Sequence, residues 1–224
     1  MKKITKLSLV AFAAMNVFTA CSSDKSAGVT EEADGRFDSL NANTLLAWSA
    51  SAKQYRVAVS GAEQSGSAGV WRYFEEAGEG GIAEISWPVS LGSTEETLLN
   101  PVIDHCQGIC GKFRLKTDSS GEKPRVGIGF SIEGLNFSSQ DEVQTKLCVE
   151  YSSSAALKIV TDFGDDDEFA LKLRASEEMR ERCSVYSRMN GSVAESIYFV
   201  FESDKDSEGS FNISKINWVK EVLQ

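Results

Sequence analysis

The sequence predicts an all-β domain, a two-sheet antiparallel β-sandwich of the jelly-roll type. Three observations carry this. Short segments alternate apolar and polar residues from Leu45 to the end of the chain, glycine-containing turns punctuate them, and no long amphipathic helix comes between them. A parallel α/β sheet needs such helices as crossovers, so that class is excluded.

The segments run in order. After the stretch at Leu45, Tyr55-Arg56-Val57-Ala58-Val59 alternates, and Ser60 to Gly69 is a Gly/Ser-rich turn region. Val70 to Glu75 alternates again, placing Trp71, Tyr73 and Glu75 on one face and Val70, Arg72 and Phe74 on the other. Further strands are expected at Ile82–Val89, Lys112–Thr117, Arg125–Glu133, Lys146–Ser152, Ala156–Asp162, Glu168–Arg174, Ser184–Arg188, Glu195–Glu202 and Ser210–Val219. Turns are expected at Ser120-Gly121, Glu133-Gly134, Asn190-Gly191 and Glu208-Gly209. Ala175 to Arg182, rich in Glu, Met and Arg, is the one stretch with helical character, or else a connecting turn.

The N-terminus reads as an export segment over residues 1–20. Lys2, Lys3 and Lys6 form a charged head, and Leu7 to Val17 is an apolar run too short to span a bilayer. Phe18-Thr19-Ala20-Cys21 then resembles the lipobox of bacterial lipoproteins, with Phe18 where Leu is usual. The resemblance implies cleavage before Cys21, a diacylglycerol on its thiol, and palmitate-type acylation. Several acyl chains would hold the protein to a membrane at roughly 0.8 kcal/mol per buried methylene. Ser22 in place of Asp implies, by the same resemblance, sorting to the outer membrane. Ser22 to Asp38 is small, polar and acidic, and buries too little apolar area to order itself. Residues 21–40 are therefore expected to be a lipidated tether, and residues 41–224 the sandwich.

Removing residues 1–20 takes three lysines and no acids, leaving 204 residues with 20 basic against 33 acidic side chains, a net charge of −13. A chain this acidic repels nucleic acid and anionic lipid, which argues against nucleic-acid binding.

Cys106, Cys110, Cys148 and Cys183 remain beside the lipid-bearing cysteine. In an oxidising compartment four cysteines suggest two disulfides, with three possible pairings. Cys106-Gln-Gly-Ile-Cys110 closes a small ring in which Gly108 permits a tight turn, so the expected pairs are Cys106–Cys110 and Cys148–Cys183. Cys148 and Cys183 each lie in an apparent strand, fit for a staple across the sandwich. Zinc at His105, Cys106 and Cys110 lacks a second pair of closely spaced ligands.

Gly69-Val70-Trp71-Arg72-Tyr73-Phe74-Glu75-Glu76, Ile85-Ser86-Trp87-Pro88-Val89, Val102 to Gly111 with its cysteine pair, Val126-Gly127-Ile128-Gly129-Phe130, Leu147-Cys148-Val149-Glu150-Tyr151 and Ser210-Phe211-Asn212-Ile213 read together with Trp48. In this order they resemble a group of surface lipoproteins and cellulase-appended modules of plant-fibre-degrading bacteria, with the galactose-binding-like jelly-roll fold. These are akin to the β-glucan-binding carbohydrate-binding modules. The likeness covers about residues 40–220. It departs at Ala175–Arg182, which is charged where such modules carry a more apolar, aromatic stretch. It implies fold and export, with a polysaccharide as the expected partner.

Aromatic rings stack on pyranose faces, and Trp71, Tyr73, Glu75, Trp87 and Tyr151 are the expected platform. The competing role for each aromatic is in the core, because large aromatics dominate sandwich interiors. Asp162, Asp165, Asp166 and Asp167 are candidate ligands for one structural calcium, although their spacing does not match an EF-hand and solvated loop acids are the commoner case. No other cofactor is expected. No nucleophile elbow, phosphate loop or zincin motif is present; the export signal, the strand pattern and the resemblance together imply non-catalytic glycan binding as the expected function. The alternatives are a structural or protein-interaction module of the envelope, and a glycosidase, which needs only two carboxylates.

Intact mass of the membrane fraction should show an N-terminal Cys21 carrying acyl chains. Cys21→Ser should yield unacylated protein, and an unprocessed mass for the wild type would contradict the lipobox reading.

Overall fold

The computed structural model describes residues 40, 42–62, 66–118, 121–136, 144–163, 168–186 and 193–221, all within one compact unit spanning residues 35–224. Cys21, the export segment and nearly all of the tether lie outside the described residues. The architecture is a two-sheet antiparallel sandwich of the jelly-roll type, as the alternation predicts.

The first sheet holds seven strands: β1 (Thr44–Ser49), β2 (Ala58–Val59), β4 (Ile82–Ser86), β5 (Ile109–Lys116), β7 (Gln144–Ser153), β10 (Ser176–Tyr186) and β12 (Ser207–Glu221). The second holds five, in the order β3 (Trp71–Glu76), β6 (Arg125–Asn136), β11 (Val193–Glu202), β8 (Leu157–Asp162) and β9 (Glu168–Leu173). One short helix, α1 (Asn100–Cys106), precedes β5.

β12 organises the first sheet. One of its edges pairs with β7 from Phe211 to Glu221, with a bulge between Ile213 and Lys215. The other edge is divided: Ser207 to Ile213 pairs with β5, and Lys215 to Val219 pairs with β1. The strand pattern of Phe211, Ile213, Ile216 and Trp218 is buried throughout, which gives this long strand one continuous inward face. α1 enters where β5 begins. Pro101 occupies its first turn, where a missing N–H costs nothing, and Gln107 ends it in the left-handed conformation (φ 50°).

The core joins the sheets through aromatic rings. Trp48 of β1 meets Trp71 of β3 edge-on at 4.9 Å, and Trp71 meets Phe130 of β6 at the same centroid distance. Phe113 stacks on Phe201 at 4.4 Å across the other end. Such pairs are worth about 0.5–1.5 kcal/mol each beyond their burial. Trp48 stays satisfied inside because its Nε1 donates to the Gln54 carbonyl at 2.8 Å.

The structure departs from six of these expectations. Ala175–Arg182 is neither helix nor turn: Ser176 to Tyr186 forms β10, paired with β7 from Ser176↔Ser153 to Tyr186↔Thr145. Pairing with a neighbour overrides the helix preference of Glu, Met and Arg, and the charges suit an edge strand. Tyr55–Val59 is extended only at its end, where Ala58–Val59 forms β2. Glu133-Gly134 and Glu208-Gly209 lie inside β6 and β12, not in turns. In the Cys106–Cys110 ring the left-handed residue is Gln107; Gly108 is needed because a Cβ there would lie 2.0 Å from Asn212 Oδ1. Both disulfides pair as expected, but Cys148–Cys183 joins directly opposed residues of adjacent strands β7 and β10 instead of crossing the sandwich.

That bond closes a loop with a sequence separation of 35. Removing it with Cys148→Ser/Cys183→Ser should cost about 3–4 kcal/mol in the loop-entropy account. Urea unfolding of the variant would read this directly, and an unchanged midpoint would contradict it.

Candidate ligand-binding face

The expected platform divides between core and rim. Trp71 is 2% exposed and Tyr151 1% exposed, so neither ring can meet a ligand. Alternation put Trp71, Tyr73 and Glu75 on one face, and that face turns inward. Tyr73 and Trp87 are half-buried and packed against the core, edge to face at 5.4 Å, with Phe211 6.4 Å beyond Trp87. The exposed Glu75 accepts a 2.6 Å hydrogen bond from the Ile85 N–H and so ties β3 to β4.

The opposite face of β3 looks to solvent. Its even-numbered residues, Arg72, Phe74 and Glu76, lie on the same side of the five-stranded sheet as Arg125, Gly127 and Gly129 of β6 and Tyr198, Val200 and Glu202 of β11, with Gly127, Gly129 and Val200 buried. Phe74 lies across Gly127 and Tyr198 across Gly129; a Cβ on either glycine would come within 2.2–2.3 Å of the ring above it. The two rings, from strands on either side of β6, meet edge-on at 5.5 Å. Both are half-buried, and neither packs against the core.

Ion pairs frame the rings. Arg125 Nε donates to Glu76 at 2.6 Å while its guanidinium sits 5.6 Å from the Phe74 centroid, a cation–π contact. Lys158 pairs with Glu202, and Arg72 reaches Glu95 at 3.9 Å from the β4–α1 connection. A shallow hollow of about 320 Å³ continues this face past Arg125, lined by Glu76, Ala77, Gly78, Glu122, Lys123 and Arg125. At the far end Ser196 Oγ donates to Asp162 Oδ2 at 3.5 Å. The face thus offers two aromatic surfaces within a charge-balanced rim of hydrogen-bonding groups.

Sequence reasoning missed Phe74 and Tyr198, although a signal for them exists. In Val126-Gly127-Ile128-Gly129-Phe130 the apolar residues are buried inward, so both glycines face outward and leave space for neighbouring rings.

Of the calcium candidates, Asp162 is described, and Asp165, Asp166 and Asp167 lie outside the described residues. Asp206, just before β12, accepts from both the Thr117 N–H and its hydroxyl at 3.1 Å, which is a loop-tying role. Cys148, Cys183 and Glu181 cluster with metal-ligand proximity, but the two sulfurs are bonded to each other and offer no thiolate.

Two tyrosines are held in their neutral form. Tyr55 donates to Asp104 at 2.8 Å, linking the β1–β2 connection to α1; this bond, with burial and the carboxylate charge, raises its phenol above the usual 10.0. Burial raises Tyr151 as well, against a smaller opposing pull from Arg182 and Arg180. Its hydroxyl donates to the Arg174 carbonyl at 2.6 Å.

No family model and no curated protein matches the chain. Among solved structures it is similar to the family 11 carbohydrate-binding module of the cellulosomal cellulase Lic26A-Cel5E of Clostridium thermocellum, at 10% identity, TM-score 0.34, over 66% of this chain and 86% of that one. It is similar to the CBM22-1 xylan-binding domain of Paenibacillus barcinonensis Xyn10C at 11% identity, TM-score 0.36, over 80% and 97%. A third is the CBM22-1–GH10 module pair of Clostridium thermocellum xylanase 10B, complexed with xylohexaose, at 11% identity and TM-score 0.38, over 81% of this chain and 29% of that one.

A raised phenol pKa supplies stability that is present below the unfolded value near 10 and is lost as pH rises through the folded value. The wild type should therefore lose stability steeply above pH 10. Tyr151→Phe should be less stable at pH 7 by about 1 kcal/mol, from the lost hydrogen bond, yet decline less between pH 9 and 11.5. Urea midpoints across that range would show it; parallel declines would contradict it.

Proposed function

We propose that the chain is a non-catalytic lipoprotein of the bacterial outer membrane whose sandwich domain binds a polysaccharide. The carrying observation is the outer face of the five-stranded sheet. Phe74 and Tyr198 are large rings turned away from the core, where large aromatics of a sandwich normally sit. Pyranose rings expose an apolar face of C–H groups that packs on such rings, while their hydroxyls bond to carboxylates and guanidinium groups like those of Glu76, Arg125 and Glu202. The cations beside the rings are each matched by a carboxylate, which suits a neutral ligand.

Binding without turnover fits the two paired carboxylates on this face. Glu76 is paired with Arg125 and Glu202 with Lys158, and both are partly exposed. A glycosidase places its acid in a desolvated setting that keeps it protonated. The lipid anchor at Cys21 and the acidic tether would display the domain at the surface, where retention of a polymer is useful.

Affinity electrophoresis and calorimetry against β-glucan, xylan and cellulose test this. Retardation by at least one glycan is expected. Phe74→Ala and Tyr198→Ala should each weaken binding about tenfold, the equivalent of about 1.4 kcal/mol, while Tyr73→Phe should leave it unchanged. No retardation by any glycan would favour the protein-interaction alternative, and release of reducing sugar would favour the enzyme.

A further inference from the structure

We propose that Gly127 is a positioning residue for this face: the space left by its missing side chain sets the angle at which Phe74 presents its ring. The inference deepens the glycan-binding reading and rests on it. Gly127 stands in the middle of β6, paired with Phe74 on one side and Val200 on the other. Glycine weakens a strand interior, because it gives up entropy and brings no side chain to pack. Its φ lies outside the left-handed region, so the backbone does not require glycine there.

What requires it is the ring. The three heavy atoms nearest a Cβ at Gly127 all belong to Phe74: Cε1 at 2.2 Å, Cζ at 2.4 Å and Cδ1 at 3.1 Å. Gly129 differs, because a Cβ there would strike the Ile197 carbonyl oxygen at 2.2 Å as well as the Tyr198 ring, so the backbone itself demands that glycine. Strand side chains ordinarily stand roughly perpendicular to the sheet. Phe74 instead leans over Gly127, where Arg125 meets it at 5.6 Å and Tyr198 packs against it edge-on. Ring cover over a glycine also serves sheet stability. A purely stabilising role and a positioning role separate in experiment.

Gly127→Ala, Phe74→Ala and the double variant would be made in the full chain, with Phe74→Leu as a second truncation should the alanine unfold. Thermal midpoint, the aromatic ¹H–¹³C resonances of Phe74 and affinity for whichever tested glycan the wild type retains would be measured. Gly127→Ala is expected to shift the Phe74 resonances, lower the midpoint and weaken binding about tenfold. The double variant should regain the midpoint of the Phe74 truncation alone, since the clashing ring is gone, and bind no better than that truncation. An unmoved ring signal, additive losses of midpoint in the double variant, or a shifted ring with unchanged affinity would each overturn the proposal. If the wild type retains no glycan, the binding reading fails, while ring signal and midpoint cycle still decide whether Gly127 seats Phe74.

Discussion

The divided edge of β12 is the constraint on which the rest of the structure depends. One strand of fifteen residues must satisfy β7 along one side and two shorter strands, β5 and β1, end to end along the other. The bulge at Ser214 falls between the β5-paired and β1-paired stretches. A bulge adds a residue and local twist, so β12 can serve partners laid along two slightly different directions. α1 and the Cys106–Cys110 ring lie beside this junction because β5 starts there, and Gly108 lets the ring approach β12 as closely as a strand. Tyr55, bonded to Asp104, holds the β1–β2 connection to the same place.

The second sheet is fastened to that frame by rings. Trp48 belongs to the sheet β12 organises and Trp71 to the other, and their contact fixes which side of β3 points inward. Once Trp71 is committed to the core, Phe74 must face outward, three residues along a strand of period two. The outward face is therefore a consequence of core packing. Its two glycines then decide how the outward rings lie. The charges around them come from four places: β3, β6, the neighbouring β11–β8 pair and the β4–α1 connection. No short motif could hold such a set.

The edge of the first sheet illustrates a different balance. β10 carries charged residues on both faces and is joined to β7 by backbone pairing and by Cys148–Cys183. Charged edge strands resist pairing with other chains. The same composition made Ala175–Arg182 resemble a helix, because Glu, Met and Arg are good helix formers when nothing pairs with them.

The sequence by itself determined the β class and most strand positions, because period-two alternation is a local property; the short Cys106–Cys110 spacing favoured that ring and so left Cys148 to Cys183. It also held the clue to the outer rings, in the glycine–apolar alternation of Val126 to Phe130. Only the tertiary structure decided that Trp71 and Tyr151 are interior, that Phe74 and Tyr198 face solvent, and that β10 is a strand with its disulfide lying within one sheet. The reason is physical. Alternation reads the same from either face of a strand, and a one-residue choice exchanges core for surface. Which choice prevails depends on partners far away in sequence: Trp48 across the sandwich for β3, and β7 alongside for β10.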